Sequence, residues 1–337
     1  LTVGYERLQS SHGVKLFRTR ASAVDAKRRE VRLADGAMLA YDRLVVAPGV
    51  DFIYDDLPGL KTPAAQERIL HAWKAGPQTL ALRKQLEAMR DGGVYALCIP
   101  KSPFRCPPGP YERSCQVAFY LKNHKPRSKV LVLDANEDVQ SKKGLFMAAW
   151  NGPYKGIVEY RPNSELLDVD VRGMTAKLQF EDVKADVLNV VPPNRAGDIT
   201  REAGLITANE RWCGIDWRTT ESVAVPNVHV IGDSTLSAPA MPKSGHMANQ
   251  HGKLAADAIV ALMTGRAVND QPIISNACYS WISDRDVVHV ASVHRYEPSE
   301  KTLVPVKGSG GLSPSISDRE AEYAMGWARS IFADALG

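Results

Sequence analysis

Two cysteines stand in settings suited to redox chemistry. Cys106 lies in Phe104-Arg105-Cys106-Pro107-Pro108-Gly109-Pro110-Tyr111-Glu112-Arg113, and Cys278 in Ser275-Asn276-Ala277-Cys278-Tyr279-Ser280. Between them sits Val230-Ile231-Gly232-Asp233, a β run closed by Gly-Asp, the pattern that ends a flavin-binding half in many oxidoreductases. Cysteines flanking such a turn suggest a redox disulfide that takes electrons from a small nucleophile and passes them to a flavin ring. Arg105 and the N-terminus of the helix expected after Pro110 should favour the Cys106 thiolate. Glu112, in the first turn of that helix, is a candidate proton acceptor. Cys98 on a strand, Cys115 on the helix and Cys213 beside Trp212 read as buried structural thiols. Cys115 competes for pairing with Cys106, although a helix starting near Tyr111 would carry it away from the loop.

The flavin reading rests on several short segments. At Gly232-Asp233 the glycine permits close backbone approach, and the aspartate can accept a ribityl hydroxyl hydrogen bond. The helix expected to follow, with Ser244 as its N-cap, can aim N–H groups at the flavin edge that becomes negative on reduction. Lys243 could add a positive charge there. Ala47-Pro48-Gly49 ends a strand as a cofactor-contacting turn does. His71-Ala72-Trp73-Lys74-Ala75-Gly76 offers an indole and an ammonium to the same site, although Trp73 by itself also suits a core.

The elements that must position these residues form a pattern that occurs twice. Residues 30–40 read as a hairpin around Asp35-Gly36, followed by a buried strand Leu44-Val45-Val46-Ala47 stopped by Pro48-Gly49. Residues 176–180, a turn at Glu181-Asp182 and a buried strand over 185–191 stopped by Pro192-Pro193 repeat the plan. Between them a strand over 94–99, a helix from about Tyr111 to Asn123 and a strand over 130–134 give the βαβ layout of a dinucleotide site. Its loop, however, carries prolines at 100, 103, 107, 108 and 110. Prolines lack the N–H that a pyrophosphate needs, so no nicotinamide cofactor is expected there. A helix over 245–264, a strand over 287–293, a Gly308–Gly311 turn and a closing helix over 318–336 complete the chain. The closing helix, with Tyr323, Trp327, Ile331 and Phe332, is expected to pack on the protein's own core rather than on a membrane.

The expected fold is therefore α/β, with two Rossmann-like dinucleotide-binding-type domains and a C-terminal α+β domain. Residues 1–75 with 197–268 form the flavin-binding domain, 76–196 the second domain without a nucleotide loop, and 269–337 the third. The length of 337 residues allows two or three domains. With a net charge of +4 and scattered basic residues, no nucleic-acid partner is expected. Five cysteines are too few for a disulfide scaffold and fit no zinc spacing, so no metal is expected. No run approaches the ~18 apolar residues of a membrane helix. The opening segment offers no strand with a glycine-rich phosphate loop, so the reading expects those elements upstream and weak FAD binding by the chain alone.

The sequence resembles the flavoprotein subunit of flavocytochrome c sulfide dehydrogenase over essentially its whole length. The Cys106-Pro107-Pro108-Gly109-Pro110-Tyr111-Glu112-Arg113 run is the most specific match. Residues 41–49 and 71–76, Val230-Ile231-Gly232-Asp233, Met241-Pro242-Lys243-Ser244-Gly245 and Cys278-Tyr279-Ser280 support it. The resemblance implies a glutathione-reductase-like fold, FAD, a redox-active Cys106–Cys278 disulfide and an acid/base role for Glu112. It further implies hydrosulfide as substrate, a periplasmic setting and a c-type cytochrome subunit, carrying the haem, as electron acceptor. FAD in that family is held covalently by a cysteine near the N-terminus, and no cysteine precedes Cys98 here. The alternatives are a sulfide:quinone oxidoreductase-like enzyme donating to membrane quinone, and a non-catalytic flavin-fold partner of a cytochrome.

Overall fold

The computed structural model describes residues 3–336. The chain opens with helix α1 (Glu6–His12), then a three-stranded antiparallel sheet of β1 (Ala21–Asp25), β2 (Glu30–Leu33) and β3 (Met38–Ala40). The Asp35-Gly36 turn joins the last two. Gly36 takes φ 91°, and Asp35 Oδ1 accepts the Ala37 N–H at 3.1 Å. Strand β4 (Leu44–Val46) then runs to the Pro48-Gly49 stop and turns into β5 (Val50–Phe52). Two helices follow, α2 (Pro63–Arg68), capped by the Thr62 hydroxyl, and α3 (Pro77–Ala88).

The central unit is β6 (Val94–Ile99), α4 (Gly109–His124) and β7 (Lys129–Asp134), extended by α5 (Lys143–Asn151) and β8 (Val158–Arg161). A second three-stranded antiparallel sheet, β9 (Leu166–Asp170), β10 (Thr175–Leu178) and β11 (Asp182–Lys184), precedes β12 (Val187–Val190). Strand β12 returns beside β6, giving a parallel sheet in the order β12-β6-β7-β8. All four β12 residues are buried, as are the last five of β6 and of β7. Such near-continuous apolar strands are what a parallel sheet covered on both faces requires. The expected strand over 176–180 ends two residues early. Phe180 is 86% exposed because the chain is already turning toward β11.

The chain then recrosses to the first unit. Strand β13 (Asn194–Ala196) pairs antiparallel with β5, and α6 (Asp198–Glu202) leads to β14 (Val228–Val230), which pairs parallel with β4. The β4 strand, expected to be buried, is half-open. Val45 is 42% exposed, since among the described residues β14 is the strand that pairs with β4 and nothing covers that face. Helix α7 (Gly245–Thr264) starts at Ser244, whose Oγ accepts the Met247 N–H at 3.0 Å, and stops at left-handed Gly265.

The last layer is an antiparallel sheet of β15 (Ile273–Trp281), β16 (Val287–Glu297), β17 (Thr302–Pro305) and β18 (Gly311–Leu312), closed by α8 (Arg319–Leu336). Only one stripe of α8 packs inward. Ala324 is buried and Trp327 meets His246 and Tyr279, while Tyr323 and Phe332 stand exposed, so the full core packing expected of this helix is only partial. Among the described residues no helix is long and apolar enough to cross a membrane. Nor is any group of three or more His, Cys, Asp or Glu side chains placed to hold a metal ion.

Candidate active site

The site grows from the first turn of α4. Successive residues on a helix point about 100° apart, so three neighbours can address three different surfaces. Tyr111 donates its hydroxyl to Asp134 Oδ2 at the end of β7 (2.7 Å) and accepts the Gln140 N–H. Glu112 accepts the Trp281 N–H of β15 at 2.9 Å. Arg113 donates to the carbonyls of His71 (2.9 Å) and Ala72 (2.5 Å) and to Asn189 Oδ1 on β12 (2.9 Å). Gly109 lies where nothing larger fits. A Cβ there would come 2.8 Å from Trp73 Cη2 and 3.0 Å from Cys106 Sγ.

Cys106 is held in a left-handed conformation, φ 56°, which costs a non-glycine residue energy and persists only where the surroundings enforce it. Its N–H donates to the Lys243 carbonyl at 2.7 Å, tying the proline loop to the segment before α7. Cys278 is an internal residue of β15, opposite Val290. Asn276 on the same strand is its neighbour at 3.4 Å, and Asn276 in turn accepts the Ser244 hydroxyl at 2.6 Å. Cys278 and Glu112 both lie close enough to act electrostatically on the Cys106 sulfur. Both cysteines are free thiols in this structure, as are Cys98, Cys115 and Cys213, which are buried.

The thiolate expected at Cys106 is not what the surroundings favour. Burial pushes its thiol up to about 12, Glu112 and Cys278 add to this, and Lys142 and Arg105 only partly oppose it. Arg105 instead faces Asp233, with Nε 3.5 Å from Oδ2. Burial also raises the Glu112 carboxyl above its ordinary range, against hydrogen bonds from Trp281 and Ser280 and the charges of Lys142 and Arg113. A carboxyl raised in this way is suited to take up and release a proton.

Sequence reasoning missed Lys142. It sits in Ser141-Lys142-Lys143-Gly144, which reads as a solvated run. Yet its side chain is only 3% exposed, and its Nζ donates to the Cys278 carbonyl (2.8 Å) and the Ser280 hydroxyl (2.7 Å). Nothing in the local pattern separates it from its exposed neighbour Lys143.

The flavin-type turns meet on the other side of the Cys106 loop. Gly232 (φ 71°) follows β14 and Gly49 (φ 69°) follows β4, with the Ser234 hydroxyl donating to the Gly49 carbonyl at 2.5 Å. A Cβ on Gly232 would lie 3.2 Å from Ala248 Cβ, so the turn needs glycine for both its φ and its packing. Ala47 and Pro48 are exposed beside it. The Asp233 carboxyl is buried with Oδ1 lacking any partner, and burial raises it. An orphaned buried acceptor on a glycine turn fits a ligand hydroxyl, so the residues present suit the ribityl end of FAD. Lys243 is not a free cation at a surface. It is buried, donates to the carbonyls of Asp233 (3.0 Å) and Thr235 (2.6 Å), and lies 3.7 Å from the centre of the Trp212 ring. Desolvation brings it down to about 8. Ser244 is likewise engaged, as cap of α7 and partner of Asn276.

Trp73 and Lys74 line a cavity of about 410 Å³ with Arg105, Cys106, Glu112 and Arg113. Trp73 donates its indole N–H to the Arg105 carbonyl (3.1 Å) and carries the Arg113 guanidinium over its ring at 4.9 Å. Lys74 is paired with Asp51. These residues therefore wall the approach to Cys106.

The arrangement is that of a flavoprotein built on two α/β units, with cysteines brought from one unit and from the C-terminal layer. The family model for the sulfide dehydrogenase (flavocytochrome c) flavoprotein chain, central part, matches residues 79–192. The model for the flavocytochrome c sulphide dehydrogenase flavin-binding part matches residues 270–336, and the two together span more than half of the chain. The chain belongs to the flavocytochrome c sulfide dehydrogenase flavoprotein family. Mitochondrial sulfide:quinone oxidoreductase of Mus musculus is 23% identical over 265 residues, covering 72% of this chain and 55% of that protein. The Dictyostelium discoideum counterpart is 24% identical over 213 residues, covering 60% and 46%. The chain thus spans about half the length of the curated relatives it matches. The solved sulfide:quinone oxidoreductase of Aquifex aeolicus superposes with a TM-score of 0.71 at 15% identity, covering 95% of this chain and 75% of that one.

Proposed function

We propose that this chain is the flavoprotein part of an enzyme that oxidises sulfide through a Cys106–Cys278 disulfide and passes the electrons to a c-type cytochrome. The observation that carries the reading is the meeting of Cys106, Cys278 and Glu112 beside the Gly232-Asp233 turn, with a cavity opening onto Cys106. Arg105 and Arg113 beside that cavity suit an anion such as hydrosulfide. In the disulfide form, the sulfur of HS⁻ attacks one cysteine sulfur. A new S–S bond forms as the old one breaks, and the partner cysteine leaves as thiolate. The persulfide proton passes to Glu112, whose buried carboxylate is a stronger base than an exposed one. Gly49, Gly232 and Asp233 would hold FAD, which would accept the two electrons released when the Cys106 and Cys278 thiolates close the disulfide again. Attack by a second sulfide on the persulfide releases the product as polysulfide. A periplasmic setting, where disulfides persist, belongs to the same proposal.

The test is an anaerobic titration of the flavin-loaded protein with sulfide, followed by flavin absorbance. Stoichiometric bleaching in the wild type, lost in Cys106→Ser and Cys278→Ser, is expected. A flavin that bleaches equally in Cys278→Ser would sink the mechanism. The similarity to sulfide:quinone oxidoreductases favours a second acceptor, membrane quinone. Comparing turnover with cytochrome c and with a soluble quinone analogue separates the two, and faster turnover with cytochrome c is expected.

A further inference from the structure

Lys142 carries an inference that rests on this reading. Burying an ammonium is costly unless its charge and its N–H groups are met. Three oxygens receive the Lys142 Nζ: the Cys278 carbonyl at 2.8 Å, the Ser280 hydroxyl at 2.7 Å and the Val288 carbonyl at 3.5 Å. None of them is charged. The groups of opposite or potentially opposite charge around it are Cys106 from the proline loop, Glu112 from α4, Cys278 from β15 and Glu320 from α8. Glu320 is already bonded to His289 at 2.7 Å. Glu112 shares Ser280 with Lys142, so one hydroxyl links ammonium and carboxyl. The backbone at Lys142 is itself left-handed, φ 56°, at the start of α5, an unfavourable conformation that persists only where the surroundings enforce it.

We propose that the Lys142 ammonium is the internal counter-charge of the Cys106–Cys278 pair, a positioning residue that favours disulfide cleavage by stabilising the negative sulfur that cleavage creates. Attack by HS⁻ turns a neutral disulfide into a neutral persulfide and a thiolate, so one negative charge enters a buried space. A cation already fixed there meets that charge without rearrangement. Desolvation brings Lys142 down to about 8, which leaves it mostly charged at neutral pH.

The experiment equilibrates flavin-loaded protein in anaerobic dithiothreitol redox buffers at one neutral pH. Thiols are then alkylated and the Cys106–Cys278 disulfide fraction is read by mass spectrometry. Lys142→Met is expected to lower the equilibrium constant for reduction about tenfold or more, about 30 mV toward a harder-to-reduce pair. Lys142→Arg, which keeps the charge, is expected within about threefold of wild type. Should Lys142→Met fail to fold, Ser280→Ala decides, with a shift of about threefold in the same direction expected. An unchanged constant in folded Lys142→Met, or in Ser280→Ala where that variant decides, overturns the inference and leaves the proposed function standing. A wild type that forms no such disulfide in any buffer removes both.

Discussion

Two strand-to-helix loops in this molecule do opposite things with the same frame. After β14, Gly232 adopts a left-handed φ and leaves Asp233 with an orphaned buried oxygen, a turn opened for a ligand. After β6, residues 100–110 fill the equivalent place with prolines and fix a cysteine in a left-handed conformation. The first loop is defined by what it leaves out, the second by what it cannot move. The comparison teaches that a parallel strand followed by a helix supplies position only, and that the loop's own residues decide whether the position leaves a buried oxygen unpartnered or fixes a sulfur in place. The loops also touch, through the Cys106 N–H and the Lys243 carbonyl.

The sharpest way to break the distinction is to remove Arg113, which holds the segment 71–72 against the proline-loop side. Arg113→Met strips hydrogen bonds from three acceptors at once. The expected loss is about 3–5 kcal/mol of stability, read by denaturant unfolding. Next come two glycines that should dissociate the loops from each other. Gly109→Ala, forced against Trp73 and the Cys106 sulfur, is expected to cost about 2 kcal/mol and slow sulfide-driven bleaching while flavin content stays near normal. Gly232→Ala, strained in φ and crowded by Ala248, is expected to cost a similar amount, about 1–3 kcal/mol, and to lower flavin content instead. Equal effects of both variants on flavin content would erase the distinction.

The smallest effect concerns pH. His251 Nδ1 accepts the Gly232 N–H at 3.1 Å and must be neutral to do so. Burial, with Lys243 and His294 nearby, lowers it from 6.5 to about 4. A depressed folded-state value gives a contribution present above about pH 6.5 that is lost as pH falls through about 4. The loss attributable to this residue is expected to reach about 1 kcal/mol near pH 5.5. Thermal unfolding across pH 4–7, compared between wild type and His251→Asn, measures it.

The two proline-stopped strand plans, the βαβ unit and the capped helix from Gly245 to Thr264 were all legible, because period, turn residues and Ser244 agreed with one another. Strand β15 was not. Its mixture of Ser, Asn, Ala, Cys and Tyr lacks alternation because α4 and α7 both reach it, through Glu112 and Gln116 on one side and Ser244 and His246 on the other. Lys142 was invisible for a related reason. A buried charge is defined by partners distant in sequence, and its local segment looks like any solvated turn. The Cys106 thiolate was misjudged because the sequence displays Arg105 but not the enclosure that outweighs it.

The three residues Tyr111, Glu112 and Arg113 also bear on how the molecule is assembled. Glu112 meets Trp281, 169 residues further along the chain. Until β15 has been made and docked, Glu112 lacks that partner and Cys278 has no route to Cys106. Cys115 and Cys213, which lie between those two cysteines in the chain, are buried in apolar surroundings of their own. Cys106 and Cys278 are thus brought toward one another only when the central unit and the C-terminal layer close on that one helical turn.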